Sequence, residues 1–113
     1  MTWAKIDDQF HAHPKVQKAW QAAPRAIGLH LLALSHASAY LTDGHVSEAF
    51  VTQQVPVVRE RLKTVDALLD AGLWHLDGDG GWEIHDYLEF NDSRAKVEAR
   101  RRADSKRKNY GKG

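Results

Sequence analysis

From Asp70 to Phe90 the sequence reads DAGLWHLDGDGGWEIHDYLEF, and no other stretch constrains the fold so strongly. A helical approach ends at Gly72. Two alternating runs, LWHL and WEIHDYLEF, then flank DGDGG, a loop of Asp and Gly alone. Glycine supplies the positive backbone angles that a tight connection needs, so the pattern predicts a β-hairpin closed by a Gly-containing loop. Trp74 and Trp82 are expected to fasten the hairpin to a core, with Leu76 and Ile84 among the covering residues.

Upstream, the helix signals are separable. Trp3, Ile6 and Phe10 recur at spacings of three and four, but His13-Pro14 interrupts any helix there. Pro14 suits the first turn of a short helix through about Gln21, with Val16 and Trp20 on one face. Pro24 opens PRAIGLHLLALSHASAYL, where Ile27, Leu31 and Leu34 share a face with Leu41 further along. Thr42-Asp43-Gly44 stops it, Gly44 suiting the left-handed position after the end. His45-Val46 reads as a short extended segment, and Ser47 as the N-cap of SEAFVTQQ with Glu48 in its first turn. After Val55-Pro56 comes VVRERLKTVDALLDAG, with an apolar stripe at Val58, Leu62, Val65 and Leu69.

This order predicts a mostly α fold with a small antiparallel β-hairpin, a winged helix-turn-helix. Three helices bury one core, the hairpin covers its open side, and the last of the three is left free to present a polar face. The N-terminal segment with Trp3, Phe10 and Trp20 either packs on its own domain or pairs two copies, leaving monomer and homodimer both open.

Net charge is only +1 over 113 residues, but it is unevenly placed. Residues 1–93 hold seven Lys/Arg against thirteen Asp/Glu, and residues 94–113 hold nine against two. The expected division is therefore a winged-helix domain with an N-terminal extension over 1–93 and a basic C-terminal arm over 94–113. The arm is expected to be helical in its first half and frayed or disordered at its end. Such an arm seeks a polyanion; the competing reading is a solvated tail that aids solubility. With no Cys and no apolar run near the ~20 residues of a bilayer span, a cytoplasmic setting without a membrane partner is expected. The first twenty residues also lack a signal-peptide pattern.

LTDGHV, DAGLW, the glycine-rich hairpin ending WEIHDYLEFN and SRAKVEARR together resemble the small winged helix-turn-helix proteins and replication-protein N-terminal domains of actinobacterial phages and prophages. KIDDQFHAHPKV near the start is similar to them too, so the resemblance runs over about residues 3–102. It implies a DNA-binding or replication-associated role in a host cytoplasm and points to no catalytic residue.

The candidate contacts follow from chemistry. On the helix expected to read DNA, Arg59, Arg61 and Lys63 suit guanine edges or phosphates, and Thr64 suits either. Thr52, Gln53 and Gln54, in the turn before it, are candidate donors to phosphate oxygens. In the arm, the candidates are Arg94, Lys96, Arg100, Arg101, Arg102, Lys106, Arg107, Lys108 and Lys112. Engaging about four phosphates would give a log–log salt slope on the order of −4. The same composition fits RNA, so duplex DNA rests on the fold argument. The expected function is sequence-specific or architectural double-stranded DNA binding in phage or prophage replication initiation or transcriptional control. The alternative is a winged-helix interaction module recruiting a replication protein, which the acidic body and the base-free DGDGG tip keep open.

Other chemistries fit poorly. Counting Asp77 as the first ligand of a calcium loop puts Trp82 where glycine is needed and Leu88 where glutamate is needed. GDGG lacks the glycine spacing and downstream Lys-Ser/Thr of a phosphate cradle. Seven histidines are scattered without an HExxH pair, so no metal and no cofactor is expected. His85 beside Asp86 invites a catalytic reading, but adjacent strand residues face opposite ways. No Ser or Cys sits in a nucleophile elbow, and no enzymatic activity is expected.

Overall fold

The computed structural model describes residues 3–91 and 93–110, with the side chains of residues 89–90 and 107–110 excepted. It is mostly helical, with one small antiparallel sheet. After a single 3-10 turn at Phe10–Ala12 come α1 (Pro14–Ala22), α2 (Arg25–Tyr40), β1 (His45–Val46), α3 (Glu48–Gln54) and α4 (Val58–Ala71). The chain then forms β2 (Trp74–Leu76), β3 (Trp82–Ile84), α5 (Tyr87–Phe90) and α6 (Arg94–Tyr110).

Local chemistry sets the helix ends. Pro14 stands at the start of α1, and His13 caps it by accepting the Lys15 N–H on Nδ1 at 3.1 Å. Ser47 Oγ accepts the Phe50 N–H at 3.1 Å to begin α3. Gly72, at φ +79°, ends α4 as its left-handed cap. The end of α2 departs from expectation. Leu41 takes the left-handed cap at φ +54°, and Gly44 is used one turn later, at φ +90°, in the entry to β1. Gly44 is required there because any Cβ would press into the Tyr87 side chain, 2.7 Å from its Cβ and 2.9–3.2 Å from its ring.

The hairpin is present, and His45-Val46 joins it as a third strand. Sheet order is β1-β3-β2, with Glu83 opposite both His45 and His75. Gly81, at φ +76°, lies under β1, and a side chain there would collide with the Val46 carbonyl oxygen. The DGDGG loop thus serves close packing against β1 as well as the turn itself.

Helices α1, α2 and α4 pack against one another, and β2 closes on α4. The buried faces are rotated from the stripes expected of the larger apolar residues. On α4 the core takes Thr64, Val65, Ala67, Leu68 and Ala71, while Val58 and Leu62 are 57% and 59% exposed. On α2 it takes Ala26, Leu29, Ala33, Leu34 and Ala37, leaving Leu31 and Leu32 at the surface. Alanines set these faces because three helices meeting together approach most closely where side chains are small. Trp20 is likewise half exposed while Ala19 is fully buried.

Trp74 is completely buried at the base of the hairpin, and its ring lies 6.0 Å from that of the half-buried Trp82. Ile84 is buried as expected, but Leu76 is 76% exposed, where the hairpin runs beyond the helical core. The N-terminal segment packs on its own domain. Ala4 and Phe10 lie against the core, and Lys5 N–H donates to Asn91 Oδ1 at 2.8 Å, although Trp3 stays exposed.

Candidate nucleic-acid interface

The exposed face of α4 carries Arg59 and Lys63, one helical turn apart. The two other α4 residues expected beside them do different work. Arg61 turns back, and its guanidinium donates to the carbonyls of Val55 at 3.1 Å and Pro56 at 3.2 Å. Those carbonyls follow the end of α3, so Arg61 ties the α3–α4 turn together. Thr64 is only 1% exposed, and its hydroxyl donates to the Glu60 carbonyl at 2.6 Å. Rotation of the buried face removes Thr64 from any contact surface. Thr52, Gln53 and Gln54 are exposed, on the last turn of α3 rather than in a loop.

The basic arm is one helix through Tyr110, longer than its composition suggests. At ~1.5 Å per residue it extends roughly 25 Å. Its start is held by several bonds. Ser93 Oγ accepts the Lys96 N–H at 3.1 Å, Asp43 Oδ1 accepts the Arg94 N–H at 2.6 Å, and Val97 is buried. Just before it, the buried Asn91 links the N-terminal segment to the Tyr87 carbonyl. Arg94 pairs with Glu98 at 2.9 Å across one turn, a spacing that favours the helix. Lys96, Arg100, Arg101, Arg102 and Lys106 are exposed along it. The side chains of Arg107 and Lys108, and all of Lys112, lie outside the described residues.

The loop between the hairpin strands bears no base and is tied inward. Asp77 Oδ2 meets His45 Nδ1 at 2.7 Å, linking the loop to β1, while Asp77 Oδ1 accepts the Asp79 N–H at 3.1 Å. The Asp79 amide and the His45 ring hold the Asp77 carboxyl below the ordinary carboxylate range.

A second polar cluster lies at the exposed side of the hairpin, where the sequence pairs His85 with Asp86 but gives no sign of His75 beside them. β3 ends at Ile84, so the alternation expected of His85 and Asp86 does not apply. Asp86 adopts a left-handed conformation, φ +55°, and its carboxylate lies 2.9 Å from His85 Nε2. The other nitrogen of that ring, Nδ1, lies 2.6 Å from His75 Nε2 across the hairpin. One further histidine contact is internal. Buried His30 accepts the Trp74 indole N–H on Nδ1 at 3.0 Å and stacks on Phe10, and burial pushes its pKa down to about 4.

Among the described residues, no three His, Asp or Glu side chains gather as a metal-holding group, and no helix is long and apolar enough to cross a membrane. Comparison with known protein families, curated proteins and solved structures finds no match.

Proposed function

We propose that this chain is a winged helix-turn-helix protein that binds double-stranded DNA, with α4 as the reading helix and α6 as a basic helix laid along the phosphate backbone. The observation that carries this reading is α6, which is anchored at its start and studded with exposed Lys96, Arg100, Arg101, Arg102 and Lys106. A held helix spends less ordering entropy on binding than a loose tail with the same charge. Supporting it, the chain runs helix, strand, helix, helix, then hairpin, with strand order β1-β3-β2, and leaves Arg59 and Lys63 at the surface of the last core helix. Replication initiation or transcriptional control in a phage or prophage is the role that the sequence resemblance favours. Arg61 and Thr64 have no part in the contact surface.

Fluorescence anisotropy with a labelled duplex tests the proposal. The full chain should bind at low salt with a log–log slope on the order of −4. The triple variant R100Q/R101Q/R102Q should weaken binding on every sequence and flatten the slope by up to about 3. R59A/K63A should weaken it most on preferred sequences. Absence of binding at low salt would refute the reading.

One observation favours a protein partner as a second reading. From Ala26 to Thr42 there is no Lys, Arg, Asp or Glu, and Leu32 and Tyr40 on that segment are exposed. Sedimentation of the full chain, alone and with duplex, distinguishes self-association through this face from a DNA-only role.

A further inference from the structure

The His75–His85 pair goes beyond nucleic-acid binding. Its two rings meet edge to face, with centroids 4.8 Å apart and planes 73° apart, so that Nε2 of one approaches Nδ1 of the other at 2.6 Å. Asp86 accepts the His85 Nε2–H at 2.9 Å, which leaves His85 Nδ1 as a lone pair directed at His75. A carboxylate on the far nitrogen is the arrangement that orients a metal-binding imidazole and raises its basicity. His75 lies on β2 and His85 directly follows β3, where its N–H donates to the Leu73 carbonyl at 2.9 Å, so the hairpin holds the two together without a long loop to order.

The surroundings favour a cation. A groove of about 350 Å³ opens beside the pair, with Asp43, Glu83 and Asp86 among its walls and, among the described residues, neither Lys nor Arg lining it. His75 is exposed and His85 half-buried, so an ion can enter and retain water on its remaining positions.

We propose that His75 Nε2 and His85 Nδ1 form a two-imidazole chelate for a borderline divalent transition ion, Cu²⁺, Ni²⁺ or Zn²⁺, with Asp86 orienting His85. Binding displaces the proton that His75 Nε2 directs at His85; that proton moves to His75 Nδ1, so both rings remain neutral imidazoles. At ~2.0–2.1 Å per metal–nitrogen bond, two ligands of one ion stand about 2.9–3.4 Å apart, so the nitrogens separate by less than ~1 Å and the rings turn until both lone pairs meet on the ion. Opening is within reach of side chains at the surface of a short hairpin. Hard ions such as Mg²⁺, which prefer oxygen ligands, are excluded by the same chemistry.

The test uses the full chain. Heteronuclear NMR of the imidazole groups under Ni²⁺ or Cu²⁺ titration should broaden the His75 and His85 resonances before those of the other histidines, and Mg²⁺ should broaden none. Zn²⁺ well above its dissociation constant should raise the thermal midpoint by roughly 5 °C. H75N should lose both effects, whereas H11N/H13N, which removes the closely spaced pair near the N-terminus, should keep both. The proposal falls if H75N responds to metal as the natural chain does, if broadening begins at His11 and His13, or if no midpoint shift occurs.

Discussion

The Trp74 indole N–H donates to Nδ1 of His30 at 3.0 Å, joining two residues 44 positions apart in the chain. Indole nitrogen only donates, so His30 must keep Nδ1 unprotonated and carry its single proton on Nε2. One hydrogen bond therefore fastens the hairpin to α2 and fixes the charge state of a buried ring.

That bond predicts an acid sensitivity. Burial holds the His30 pKa at about 4 in the fold, against 6.5 for a free imidazole. Unfolded chains take up the proton as pH drops below about 6.5, and folded ones only near 4, so the contribution is complete above 6.5 and is lost as pH falls toward 4. Its full size is about 3 kcal/mol. Denaturant unfolding at steps from pH 7 to pH 4 should show this loss, and H30N, which cannot titrate, should show a shallower slope over the same window. Parallel slopes for the two proteins would contradict the assignment.

The two tryptophans of the hairpin should differ. Trp74 is fully buried, so W74A should cost about 3–5 kcal/mol. Trp82 is half-buried at the far end of the sheet, and W82A should cost roughly 1–3 kcal/mol. Equal losses measured by urea unfolding would mean that the hairpin is not anchored chiefly through β2.

Neighbouring cations on α4 should separate stability from binding. R61A removes the donor to the Val55 and Pro56 carbonyls and should destabilise by about 1 kcal/mol. R59A and K63A should stay within ~0.5 kcal/mol of the natural chain in urea while weakening duplex binding. An R59A loss as large as that of R61A would place Arg59 in the scaffold.

Glycine positions offer a paired check on the backbone. Nothing lies within 4 Å of a Cβ built on Gly28 in α2, so G28A should stabilise by roughly 0.5–1 kcal/mol. G81A would meet both a positive φ and the Val46 backbone, and should destabilise by more than ~1 kcal/mol. A neutral G81A would show that the loop does not need its contact with β1.

Helix existence and the hairpin were legible in the chain, because capping residues and glycines act locally. Ser47, Gly72 and the run from Trp82 to Ile84 do what their chemistry suggests, whereas in β2 Trp74 is buried and Leu76 is not. The candidate interface was legible only in part. Arg59 and Lys63 stand at the surface as expected, whereas Arg61 bonds to the preceding turn and Thr64 is buried.

Which face of each helix turns inward was decided by tertiary packing. Three helices in mutual contact favour the closest approach, so Ala67 and Ala71 outcompete Val58 and Leu62 for the core although they are less hydrophobic. The His75–His85–Asp86 cluster is likewise a product of the fold. The hairpin itself was legible, but the register that sets His75 opposite Glu83 and the left-handed Asp86 that ends the alternation are not visible in a one-dimensional pattern.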